Sequence, residues 1–155
     1  MQEHIREAAE AHAAKEYPRE SCGLIVLSGG IERYWPCKNI AVSSEHFTLS
    51  PQDYAAAEDA GTITAIIHSH PNYSAEPSQA DRVSCEDSGL PWHIVGYPSL
   101  KWFSIAPEGY SAPLIGREFS HGILDCYTLI RDWYRENKGV ELIDIPRRDE
   151  WWKKG

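Results

Sequence analysis

The stretch from Thr62 to Asp81, TITAIIHSHPNYSAEPSQAD, decides the fold. It opens as a β-branched run that stays apolar until it reaches His68. That pattern predicts a central strand, covered on both faces, whose end carries His68 and His70. Residues two apart on a strand project to the same side, so the two imidazoles emerge together while Ser69 points the other way. PNYSAEP then reads as a loop, and PSQADRVSCEDSG as a helix with Ser78 near its start and Gly89 at its end. Asp81 falls on the first turn of that helix. The chain therefore places two imidazoles on a rigid strand end and returns a carboxylate beside them.

The flanking residues extend the pattern. Residues 2–17 carry Ile5, Ala8, Ala9, His12 and Ala13 at helical spacing, and Pro18 marks the end. CGLIVLSGG predicts a buried strand closed by a glycine turn, with IERYWPCKN as its hairpin partner. EHFTLS is a further short strand candidate. Ser50 caps a helix opened by Pro51 and stopped by Gly61. PWHIVGYP and LKWFSIAP predict two more strands separated by a Pro-Ser turn. Helices alternate with strands, yet hairpins also occur. The expected architecture is α/β of the mixed α+β kind, a mixed β-sheet flanked by helices.

Composition narrows the function classes. The 155 residues suffice for one domain with its own core and part of another. Net charge is −8, and no basic stripe offsets it, which argues against nucleic acid as a partner. The short basic group Arg147, Arg148, Lys153 and Lys154 is broken by Asp149 and Glu150 and reads as a solvated face. The first residues are charged throughout, unlike a signal peptide, and no apolar run reaches the length of a membrane span. A cytoplasmic protein is expected. Cys22, Cys37, Cys85 and Cys126 are scattered without a C-x-x-C pair, consistent with free thiols and against a Cys-rich structural zinc site.

Two histidines and one carboxylate that leave a fourth position open suit a catalytic zinc ion. Hydrolysis also needs a proton acceptor near the metal-activated water. Glu20, just before the first buried strand, can reach the sheet edge where the histidines emerge. Ser78 could donate a hydrogen bond to an oxyanion. Each residue alone has a plainer reading: Ser78 as a helix N-cap, Asp81 as a favourable first-turn charge, Glu20 as a surface carboxylate. Their combination with H-x-H at a strand end points to metal binding.

The array His68-x-His70-x₇-Ser78-x₂-Asp81 with an upstream glutamate resembles the JAMM motif of the MPN-plus (JAB) metalloproteases. PRESCGL resembles the glutamate segment of bacterial and phage members. The resemblance covers roughly residues 1–107 and implies a fold related to the cytidine deaminases. It further implies zinc (Zn2+) held by His68, His70 and Asp81, with Glu20 as general acid/base and Ser78 supporting the oxyanion. The substrates it implies are peptide or isopeptide bonds, often beside a ubiquitin-like tail. A nucleoside deaminase would need H-x-E and P-C-x-x-C signatures, which are absent.

Beyond Ala112 the texture changes. The expected division is a JAMM/MPN domain over 1–111, a linker over 112–120 and a further segment over 121–155. ILDCYTLIRDWYRENKG predicts an amphipathic helix with Cys126 near its start, where a helix dipole favours thiolate. From periodicity alone Cys126 is a small apolar residue on that helix. Asp125, Cys126 and Tyr127 resemble the nucleophile stretch of NlpC-type cysteine peptidases, which makes Cys126 a possible nucleophile of a truncated second domain. That family needs a histidine well downstream, and none follows His121, so no cysteine peptidase activity is expected. The domain order resembles the lambda-type phage tail assembly proteins. Phage tail proteins are thus expected partners. Trp133, Tyr134, Trp151 and Trp152 suggest self-association through the C-terminal aromatic helix. The alternative to a metallopeptidase is a non-catalytic assembly module stabilised by its metal.

Overall fold

The computed structural model describes residues 1–43 and 46–147. The expected roles of Arg148, Trp151, Trp152, Lys153 and Lys154 lie outside the described residues. Five strands form one mixed sheet: β1 (Cys22–Ser28), β2 (Ile31–Cys37), β3 (Thr62–Pro71), β4 (Trp92–Tyr97) and β5 (Lys101–Ile105). Their order across the sheet is β2-β1-β3-β4-β5. Every neighbouring pair is antiparallel except β3 and β4, which run parallel. Among the described residues four helices accompany the sheet: α1 (Glu3–Glu16), α2 (Pro51–Ala60), α3 (Gln79–Ser88) and α4 (Cys126–Lys138).

The alternation of the strands sorts the core into two layers. Ile25, Ala65 and Ile67 face α1, which buries Ile5 and Ala9 against them. Leu24, Val26 and Ile66 face the other way, towards Ala57 of α2 and Cys85 of α3. The period of two on β3 sends Ile66 and His68 to the α2/α3 side and Ser69 to the α1 side. β1 and β2 meet through Gly29 and Gly30, both at positive φ, a two-residue hairpin turn that glycine permits without strain.

One expected strand is absent. Of EHFTLS, residues 46–50 form an extended loop held by a single bridge between Asn39 and Leu49. Asn39 explains it. Its amide oxygen accepts from the Ala41 and Thr48 backbones, and its amide nitrogen donates to the carbonyls of Glu20 and His46. These side-chain bonds replace a strand ladder, which is how asparagine competes with regular structure. The loop they shape delivers His46 and Phe47 to the cleft described next.

Candidate metal centre and active-site cleft

The site forms where β1, β3 and α3 converge. Cys22 pairs with His68, and beyond it the Ser69 N–H donates to the Ser21 carbonyl at 3.0 Å. Continuing that register sets Glu20 across from His70, on the same side of the sheet. Ser21 is locked from its own nitrogen, which donates to Ser69 Oγ at 2.8 Å. A hydroxyl on the hidden face of β3 thereby fixes the residue next to Glu20.

His68 and His70 present Nε2 atoms 3.1 Å apart. Asp81 Oδ1 lies 3.3 Å from His68 Nε2, and Asp81 Oδ2 lies 3.3 Å from His70 Nε2. Among the described residues these three are the group whose ligand atoms converge in this way. Two oxygens or nitrogens on a tetrahedral zinc with bonds of about 2.0–2.1 Å stand about 3.3 Å apart. Each of the three observed separations is close to an edge of that tetrahedron, two of them running to different oxygens of the one Asp81 carboxylate, so the residues fit the ion.

The surroundings fix each ligand. His70 Nδ1 lies 2.8 Å from the Ser74 carbonyl, which can only accept. Nδ1 therefore carries a proton, and Nε2 is the nitrogen whose lone pair would be offered to an ion at the centre. The Ser74 loop reaches that position because β4 has glycine at position 96, opposite His70. A Cβ there would come within 2.9 Å of Ser99 Oγ, 3.1 Å of the Tyr73 carbonyl and 3.3 Å of the Ala75 nitrogen. His68 is fully buried, stacked on Phe47 at 4.7 Å and met edge-on by Trp92 at 5.4 Å. Its Nδ1 has no hydrogen-bond partner among the described residues, so aromatic packing aims this ring.

Asp81 is held by its own helix. Ser78 Oγ accepts from the Asp81 N–H at 3.1 Å and donates to Asp81 Oδ2 at 2.7 Å, while the Ser78 N–H donates to the same oxygen at 2.8 Å. This capping box satisfies the first turn of α3 and aims the carboxylate at the imidazoles. Burial alone would push the Asp81 carboxyl up. Hydrogen bonds from His68, His70 and Ser78 outweigh it and hold the group well below the usual carboxylate range. Burial would likewise lower His70, but Asp81 and the Ser74 carbonyl turn the shift upward. Burial raises the Glu20 carboxyl, against the pull of His68 and His70.

These residues open onto a cleft of about 590 Å³. Glu20, His70, Ser78 and Asp81 all line it, together with Phe47 and Trp92, which the motif alone did not reveal. His46 also lines the cleft, whereas His93 is turned to Ser104 Oγ at 2.7 Å. The segment expected as a linker contributes Glu118, Phe119 and Ser120 to the same lining.

Cys126 is exposed at the first residue of α4. Asp125 is the N-cap of that helix, accepting from the Thr128 N–H at 3.0 Å and from Arg147 Nε. Leu129, Ile130, Trp133 and Tyr134 of α4 line a shallow apolar groove with Leu114 and Ile115. No helix among the described residues is long and apolar enough to cross a membrane.

The comparisons with known proteins agree with this geometry. Residues 2–106 match the family described as prokaryotic homologs of the JAB domain. Tail tip assembly protein K of Escherichia phage N15 is 45% identical over 154 residues, which is 99% of this chain. The chain spans 63% of the length of that relative. A protein of Thermus thermophilus named as a probable TtuB-protein conjugate cleaving protease is 28% identical over 117 residues, covering 72% of this chain and 78% of its own. A Desulfitobacterium hafniense protein solved in solution superposes with a TM-score of 0.54 at 29% identity, over 66% of this chain and 78% of that one. Together with the five-stranded mixed sheet, these matches make the chain a member of the prokaryotic JAB-domain family.

Proposed function

We propose that the chain is a zinc-dependent metallopeptidase or isopeptidase of the JAMM type, acting in phage tail assembly or in penetration of the host cell wall. The observation that carries this reading is the convergence of His68, His70 and Asp81, at separations of 3.1, 3.3 and 3.3 Å, beside a cleft also lined by a buried glutamate. His68, His70 and Asp81 would hold the ion. Zinc bound there would polarise the scissile carbonyl and acidify a water. Glu20 takes the proton from the attacking water and returns it to the leaving amine. Burial supports that role, because a carboxyl raised towards neutrality both accepts and releases a proton readily. Ser78 donates to the developing oxyanion, for which its hydroxyl must turn from Asp81 Oδ2 into the cleft.

The substrate class rests on the relatives. The Thermus relative is named for cleaving a protein conjugate, and the phage relative for tail tip assembly. A tail protein or a peptide-linked host barrier is the substrate that joins the two. The second reading, a non-catalytic assembly module with a metal-stabilised fold, is favoured by the phage relative's name, which mentions no hydrolysis.

Elemental mass spectrometry of the purified chain, followed by a peptide and isopeptide cleavage screen, separates the readings. About one zinc per chain with cleavage that Glu20→Gln abolishes while keeping the zinc supports the peptidase. Zinc without cleavage of any bond supports the assembly module. No zinc after supply of the ion removes both forms of the metal reading.

A further inference from the structure

We infer that Phe119, with Tyr73, forms the substrate-selecting mouth of the cleft and takes an apolar side chain next to the scissile bond. This deepens the peptidase reading and rests on it for the identity of the ligand as a peptide. Phe119 and Tyr73 come from segments far apart in the chain, yet both line the cleft that holds His70, Asp81 and Glu20. Both are conspicuously open to water, at 72% and 79% exposure. Exposed aromatics on a fixed wall beside a reactive centre are the groups that supply binding energy to an incoming chain.

The wall carrying Phe119 is fixed by its neighbours. Gln79 Nε2 donates to the Gly116 carbonyl at 3.2 Å, the Glu118 N–H donates to Gln79 Oε1 at 3.1 Å, and the Gln79 N–H donates to Glu118 Oε2 at 3.3 Å. Gln79 is the first residue of α3, between Ser78 and Asp81, so the wall is registered to the metal-ligating turn itself. Behind it, Arg117 pairs with Asp132 at 2.8 Å, both side chains nearly buried, and Arg117 also donates to the carbonyls of Ala112 and Pro113. Phe119 is thereby presented on a braced backbone, which lowers the ordering cost of binding.

Charge limits what the mouth accepts. Glu20, Glu76 and Glu118 line the cleft, and no lysine or arginine does so among the described residues. The fitting ligand is an extended peptide with an apolar residue and without a carboxylate side chain beside the bond to be cut.

The test uses the zinc-loaded Glu20→Gln chain and fluorescein-labelled hexapeptides of glycine and serine carrying one Phe, one Ala or one Glu. Fluorescence anisotropy gives the dissociation constants. The Phe peptide should bind about tenfold or more tightly than the Ala peptide, with the Glu peptide weakest. Phe119→Ser should erase that preference, Phe119→Leu should keep most of it, and Gln79→Ala should weaken it by releasing the wall. Unfolding temperature should not move in Phe119→Ser, because the ring is exposed. Equal affinities for the three peptides, no binding of any, or an unchanged preference in Phe119→Ser would overturn the inference. Preferential binding by the Glu20→Gln chain with no cleavage of the same peptides by the wild-type chain would instead sink the peptidase reading and leave the mouth standing.

Discussion

His70 and Cys126 both belong to stretches that resemble a peptidase motif, and the protein treats them differently. Around His70 the fold gathers residues from four segments: Glu20 ahead of β1, Phe47 from the Asn39-braced loop, His68 from β3, and Asp81 from α3. Around Cys126 the bonds described are local or capping ones. The Asp125 carboxylate is taken up by Gly122, Thr128 and Arg147. The layers beneath also differ. The sheet region hides Leu24, Ile67 and Ile94 completely or nearly so, whereas α4 buries Thr128 and Asp132 and leaves Ile130 and Trp133 about half open. A motif becomes a site only where a packed scaffold brings distant residues to it.

The largest break of that contrast is Asp81→Ala. It removes the carboxylate to which two of the three separations run, and with it the partner of Ser78. About one zinc per chain should fall to near none in elemental mass spectrometry, with folding retained by circular dichroism. A variant that keeps its zinc would move the ion elsewhere.

The two regions should also differ under truncation. Ile67→Ala, in the layer against α1, should cost about 2–5 kcal/mol in denaturant unfolding. Ile130→Ala on the half-open face of α4 should stay within about 0.5 kcal/mol. Similar costs at both positions would mean that α4 is covered in solution.

A subtler change is Gly96→Ala. The added Cβ presses on the Tyr73–Ala75 backbone and should loosen the Ser74 carbonyl from His70 Nδ1. Loss of such a partner typically costs about 10–100-fold in metal affinity, which a competition titration with a chromogenic chelator reads directly. An unchanged affinity would show that His70 needs no orienting carbonyl.

The mildest probe is a thiol reagent on the native chain. Iodoacetamide should label Cys126 alone, as peptide mapping would show. Cys22, Cys37 and Cys85 are buried, and burial pushes all three thiols up, Cys37 to about 12. Labelling of a second cysteine would mean that the sheet region opens more readily than its packing implies.

Much of this was legible in the chain. The continuous β-branched run of TITAIIHSH set β3, the strand period of two set the side on which its histidines emerge, and Ser78 with Asp81 announced a helix start. Glycines at 29–30, 61, 89 and 139 marked where elements end. The failures have physical causes. EHFTLS looked like a strand because its residue types suit one, but Asn39 supplies its hydrogen bonds from outside. Phe47, Trp92 and Phe119 could not be assigned to the cleft, since their places depend on tertiary contacts that leave no local pattern. The stretch 112–120 has the Pro and Gly of a linker, and its attachment to Gln79 becomes visible only in three dimensions.

β3 pairs antiparallel with β1 on one edge and parallel with β4 on the other. That arrangement has a kinetic consequence. Ser21 and Ser69 are 48 residues apart, and the parallel partner arrives only after the loop and α3 have crossed over the sheet. Contacts of such long range close late, because the loop entropy must be overcome before they contribute. Asp81 lies only 11 residues beyond His70, but Glu20, 48 residues before His68, joins them only once β1 has paired with β3. On the proposed function, the complete site, with Glu20 beside the residues that would hold zinc, would thus be a product of finished folding rather than the nucleus around which the sheet forms.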